Sequence, residues 1–300
     1  MQTRALTVAI IFAAGLSAAV GRDALAHFQE IIPSTDVPET TGQVTIAMQF
    51  THPMERGPVM EMKKPKRFGA VTSGKLNDLS ETLKPVKRQG KTAWTGAINI
   101  KAPGASVVFV EPQPYWEPGE GKYIVHYSKV IVDGFASGKG WDAMAGLPVE
   151  IEPLVRPTGV WVGNTFRGIV RHNGKPVPFA EIEVEFINDG SVKAPNDAFI
   201  TQVIKADGNG VFSYAMPKAG WWGFAALVEG KETMKSPEGK DAPVELGGLI
   251  WVKATAMPAA TGSGRGDHHF VNVQDSRRFG PPEILVKTKL RNKVKQLPTT

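Results

Sequence analysis

From Val44 to Phe50 the chain alternates strictly. Val44, Ile46, Met48 and Phe50 share one side of an extended backbone, and Thr45, Ala47 and Gln49 share the other. A repeat of two suits a strand and leaves no continuous apolar stripe on a helix, so runs of this kind are buried as sheet. Similar runs stand at 97–100, 106–110 and 123–132, and the second half carries more at 164–177, 180–187, 206–214, 217–224 and 247–253. Between them lie stretches that break a strand, among them Glu111-Pro112-Gln113-Pro114 and Glu117-Pro118-Gly119-Glu120-Gly121. With 32 glycines and 23 prolines to supply such breaks, the pattern predicts an all-β fold. The interval Met60–Leu83 is charged and less regular, and reads as loops with one short helix around Leu76–Leu83.

Pro148–Pro157 marks the expected junction between two tandem β-sandwich (Ig-like) domains, residues 27–155 and 156–258. In the second, Asn164–Val177 contains a strand, an Asn173-Gly174 turn and the start of a return strand. Ile182, Val184 and Phe186 then alternate with Glu181, Glu183 and Glu185, which predicts a half-buried strand with a charged outer face. Asp207-Gly208-Asn209-Gly210 lacks the spaced acidic ligands and closing glutamate of a calcium loop and reads as a hairpin turn. This order of strands and turns over residues 160–255 resembles the carboxypeptidase-regulatory-like, transthyretin-type β-sandwich. Such a resemblance implies a fold and no chemistry.

The first 26 residues have the layout of a cleaved signal peptide: Arg4, an apolar run over 5–20, and the small pair Ala24 and Ala26. Cleavage after Ala26 makes His27 the leading residue of an exported, periplasmic chain. A terminal histidine offers its α-amine and its imidazole to one metal ion as a chelate, and the amine titrates near pH ~8. Cleavage a residue or two away leaves an ordinary surface histidine, and the pattern alone does not choose between these. Loss of Arg4, Arg22 and Asp23 lowers the formal net charge of +6 by one. That mild, dispersed charge lacks the basic runs with interleaved aromatics of a nucleic-acid surface. There is no cysteine, so disulfides and thiolate ligands are excluded and a metal must be held by nitrogen, oxygen or thioether. Residues 259–300 form a basic tail in which Lys287, Lys289, Arg291, Lys293 and Lys295 recur at every second position. It reads either as an edge strand or as a solvated tail able to touch an anionic membrane surface.

Among the histidines, His52 stands at a strand exit and His126 inside Tyr123–Lys129, on the face opposite Tyr123, Val125 and Tyr127. A lone strand histidine is commonly a satisfied hydrogen-bonding residue, so position alone does not make His126 a ligand. His172 belongs to a turn. His268 and His269 adjoin a glycine-rich segment and are secondary metal candidates. Met54, Met60 and Met62 follow His52; as thioethers they suit soft ions, and as apolar side chains they suit a core. No nucleophile elbow, zincin helix or phosphate loop is present, so the chain is expected not to be an enzyme. The seven tryptophans fit core packing better than a carbohydrate groove.

Four segments carry a second resemblance: His27-Phe28-Gln29-Glu30-Ile31-Ile32-Pro33, Thr51–Met60, Tyr123–Lys129 and Glu150-Ile151-Glu152-Pro153-Leu154. Together they resemble a bacterial family commonly described as the periplasmic component of cobalt and nickel uptake systems. The resemblance implies an exported protein that binds Ni²⁺ or Co²⁺, with Cu²⁺ as a further fit, and works beside membrane-embedded transporter components. The matching motifs place His27, His52 and His126 in the metal site. Two other classes stay open: a copper protein or oxidase with a terminal-histidine brace, and a structural or glycan-binding β-sandwich module.

Overall fold

The computed structural model describes residues 27–258. These form one compact unit made of strands. In chain order the first half contains β1 (Phe28–Pro33), β2 (Gly42–Thr51), β3 (Arg67–Thr72), β4 (Lys75–Asp78), β5 (Lys84–Arg88), β6 (Lys91–Ile100), β7 (Gly104–Glu111), β8 (Tyr115–Glu117) and β9 (Lys122–Gly134). The second half continues with β10 (Val149–Pro153), β11 (Val160–Trp161), β12 (Thr165–His172), β13 (Lys175–Pro176), β14 (Glu181–Phe186), β15 (Gln202–Lys205), β16 (Val211–Ala215), β17 (Gly220–Lys235) and β18 (Asp241–Thr255).

The strands stack in three layers. A central sheet runs in the order β15-β14-β17-β18-β9-β7-β3-β4, with β11 beside β18 and β8 beside β9. One outer sheet is β1-β2-β6-β5, and the other is β10-β12-β13 with β16 on the free side of β12. Alternation along the central strands sorts side chains between the two interfaces. Ala225, Leu249, Trp251, Val130 and Val132 meet Phe28, Ile31, Ile46 and Met48 on one face. Phe224, Ile250, Val252 and Ile131 meet Ile151, Phe166, Val170 and Phe212 on the other. The all-β, sheet-on-sheet architecture is therefore the one the sequence predicts. The hydrogen bonding does not break near residue 155, because β18 runs parallel to β9, from Val244 beside Tyr123 to Trp251 beside Val130.

Several local expectations need correction. Met60–Leu83 holds β3 and β4, and the expected helix is reduced to a single 3-10 turn at Ser80–Thr82. Asp207 does close a tight turn, accepting the N–H groups of Asn209 and Val211 on its carboxylate. That turn joins strands of two different sheets rather than a hairpin, since β15 pairs with β14 and β16 with β12. Asn173 and Gly174 both adopt positive φ, 49° and 76°, as a two-residue hairpin turn requires. The outer face of β14 is solvated at Glu181, as expected, but closes towards Glu185, where the loop after β2 reaches it. Glu185 is buried, and its carboxylate accepts the Met54 N–H at 3.0 Å and lies 2.5 Å from the Thr201 hydroxyl. Burial, against the pull of those two hydrogen bonds, raises Glu185 to about 8; burial and the nearby Glu245 raise Glu183 to about 8 as well.

One buried charge pair fixes the opposite interface. Lys129 of β9 and Glu150 of β10 meet at 2.7 Å with almost no solvent exposure. Glu150 also accepts the backbone N–H groups of Ala145, Gly146 and Leu147, so its lone pairs are filled.

Candidate metal centre

β1 brings the start of the described chain to the layer interface, and β2 pairs with it antiparallel, so Phe28 lies opposite Thr51. That register sets His27 beside His52, with ring centres 4.5 Å apart. β9 supplies His126 from the sheet beneath, on the face opposite Val125 and Tyr127, as the period of two predicts. Phe50 sits between them, its ring 5.4 Å from that of His27 and 5.8 Å from that of His126. All three histidines are buried. Three segments that are remote in sequence thus place their imidazoles around one phenylalanine.

The floor beneath His126 is glycine. Gly247 of β18 is its register partner, and a Cβ there would fall 2.4 Å from the His126 Cδ2 atom. Two residues earlier on the same face, Glu245 places Oε1 3.4 Å from His126 Nε2. Burial works to raise the Glu245 carboxyl, but the hydrogen bonds and charges of His126 and Lys122 outweigh it and hold the group at about 2. Lys122 Nζ is 2.6 Å from the second Glu245 oxygen. On the other side of the cluster, Glu117 of β8 brings Oε2 to 2.9 Å from His27 Nε2.

These contacts fix which ring nitrogen is available. An ionised carboxylate only accepts, so in the neutral form of either ring the proton belongs on the Nε2 that faces it, which leaves the lone pair on Nδ1. His126 Nδ1 is buried without a hydrogen-bond partner. His27 is neutral at physiological pH: burial first, then the neighbouring rings of His52 and His126, push it down to about 3. Its short contact with Glu117 is therefore that of a neutral imidazole with a carboxylate rather than a salt bridge. A histidine that gives its far N–H to a carboxylate and keeps the near nitrogen bare has the arrangement common to metal-bound imidazoles. Imidazole nitrogens suit a borderline divalent transition ion.

Among the described residues no three His, Asp or Glu side chains already form a metal-holding group. While Ala26 is attached, the His27 nitrogen is an amide and has no lone pair to give. The other sequence candidates fall elsewhere. His172 closes the end of β12, away from the cluster. His268 and His269 lie outside the described residues, as do the expected signal peptide and basic tail. The three methionines pack apart: Met54 between the central sheet and the β12 layer, Met62 on the β1 side, and Met60 with Phe50 and Ile124. Glu117 and Glu245 escaped the sequence reading. Glu245 carries one legible sign, an acid followed by Gly247-Gly248 inside an otherwise apolar strand.

Among solved structures, the chain is similar to the adhesin InvE of Yersinia pseudotuberculosis, with 12% identity over 73% of this chain and a TM-score of 0.21; it spans 58% of the length of that adhesin chain. It is also similar to a two-domain fibronectin type III segment of chicken tenascin, at 12% identity, covering 76% of this chain and 100% of that one with a TM-score of 0.20. A marsupial T cell receptor matches at 9% identity over 73% and 95% of the two chains, with a TM-score of 0.22. No curated protein matches the sequence. The model of the family described as a domain of unknown function, DUF4198, matches residues 24–230, and the chain belongs to that family.

Proposed function

We propose that this protein is exported to the periplasm, is trimmed to begin at His27, and there binds a divalent transition metal, Ni²⁺ or Co²⁺, for delivery to a membrane-embedded uptake transporter. The observation that supports this reading is the pair of carboxylates, Glu117 and Glu245, set on the Nε2 sides of His27 and His126. Nδ1 is also the ring nitrogen that closes a six-membered chelate with the α-amine of the same histidine. The trimmed chain would thus offer an amine, two Nδ1 atoms and the His52 ring from one cluster. Intrinsic affinity among first-row ions favours Cu²⁺ over Ni²⁺ and Co²⁺, so selection of the latter rests on geometry and supply.

Calorimetric titration of protein beginning at His27, beside a form with one extra alanine before it, tests the reading. The expected result is tight 1:1 binding of Ni²⁺ or Co²⁺ that falls by at least tenfold in the extended form. Equal affinities would remove the amine from the site, and no binding by either form would end the proposal. Retention of copper alone would move the function to copper handling.

A further inference from the structure

A pocket of about 310 Å³ adjoins the histidine cluster. Its walls include Phe50, Tyr115, Trp116 and Tyr123, and His126 borders it. The aromatic wall is built rather than incidental. Tyr115 packs 5.2 Å from Phe50 and 6.0 Å from His27, Trp116 packs 5.0 Å from Tyr123, and the Tyr123 hydroxyl donates to the Lys235 carbonyl. Lys63 and Gln113 add a cation and an amide to the lining. The carboxylate that also lines it, Glu61, accepts the backbone N–H of Thr92. Aromatic faces with a few convergent polar groups and this much room are the usual makings of a small-molecule site. His126 is the shared element: its buried Nδ1 has no partner, and its ring forms part of the pocket wall.

We propose that the pocket seats a small organic chelator bearing carboxylates, so that the metal is held as a mixed complex between that molecule and the histidines. This rests on the metal-binding reading above. Amine, His27, His52 and His126 supply only nitrogen, and they approach from the β1 side and from the sheet beneath. On the side facing the pocket, His126 is joined by the Glu61 carboxylate, engaged by the Thr92 N–H, and by the Gln29 amide, whose nitrogen is held by the Glu30 and Gln49 carbonyls, so positions of the ion turned that way are left to an exogenous ligand. Lys63 supplies the counter-charge for a carboxylate, and Trp116 with Tyr115 the faces against which its carbon skeleton packs.

The test uses protein beginning at His27, with Ni²⁺ alone, citrate or L-histidine alone, and the preformed complexes, read by titration calorimetry and tryptophan fluorescence. The expected result is that one of the two chelators raises Ni²⁺ affinity at least tenfold, and that Lys63→Ala removes this gain while leaving the affinity for the free ion as it was. Trp116→Phe is expected to keep the gain and lose the fluorescence change that accompanies it. If Ni²⁺ binds alone and both chelators merely strip it off in proportion to their own affinities, the pocket assignment is wrong and the metal-binding reading survives. If neither the free ion nor either complex binds, both are wrong.

Discussion

The His126 ring lies directly over Gly247, in the space that any side chain on that residue would take. The pairing of β9 with β18 fixes this stacking, and the same pairing delivers Glu245 to Nε2. Gly247→Ala is expected to push the ring off its seat. The strain of overpacking is about 1–3 kcal/mol, read in urea unfolding, and Ni²⁺ affinity should fall at least tenfold. An alanine variant that binds as tightly as the parent would show that the ring position does not matter.

Glu245→Gln keeps the shape of the side chain and removes its charge. The amide can present N–H as readily as oxygen to Nε2, so the proton of His126 is no longer confined to that nitrogen. Loss of such a partner costs about 10–100-fold in metal affinity, and calorimetry should find a drop in that range with little change in the circular dichroism of the metal-free protein.

Lys129 and Glu150 meet on the face of β9 opposite the histidine cluster, so their substitution tests the fold. Lys129→Met strands a buried carboxylate, which costs about 3–5 kcal/mol. Glu150→Ala should cost more than Lys129→Met. It strands the ammonium and also frees three backbone N–H groups at 145–147. Chemical unfolding of the two variants side by side checks the order.

Glu185 predicts a pH dependence of stability. Its folded value of about 8 lies above the ordinary 4.5, so the folded state holds a proton that the unfolded state has released. Stability from this group is complete below pH 4.5 and is lost as pH rises towards 8. Glu185→Gln mimics the protonated acid and should flatten that slope, with a gain of a few kcal/mol, of order ~2–4, at pH 8. Unfolding midpoints measured from pH 5 to 8 for both forms decide it; parallel curves would place the carboxyl in contact with water.

The strands were legible where alternation was clean, as at Val44–Phe50 and Tyr123–Val132. They were obscure where both faces are covered or where charge interrupts the pattern. β3 reads Arg-Phe-Gly-Ala-Val-Thr and buries Phe68, Gly69, Ala70 and Val71 in succession, so it has no polar side to reveal it. Glu185 of β14 shows the opposite failure. A polar row marks one face of a strand correctly, but no local signal tells whether water or a third layer lies above it. His126 was oriented correctly by spacing alone. Its approach to His27 and His52 depends on the register of β1 with β2 and on β18 arriving beside β9, neither of which local sequence encodes.

That last pairing ties the middle of the described chain to its last strand. Eight consecutive residues of β18 are zipped to β9, and the strand that carries Glu245 is made more than a hundred residues after the one that carries His126. During synthesis β9 must wait, with one edge bare, until nearly all the described polypeptide has emerged. Glu245 cannot reach His126 early, and a chain cut short before residue 241 would leave that ring without its carboxylate and a strand edge open to its neighbours.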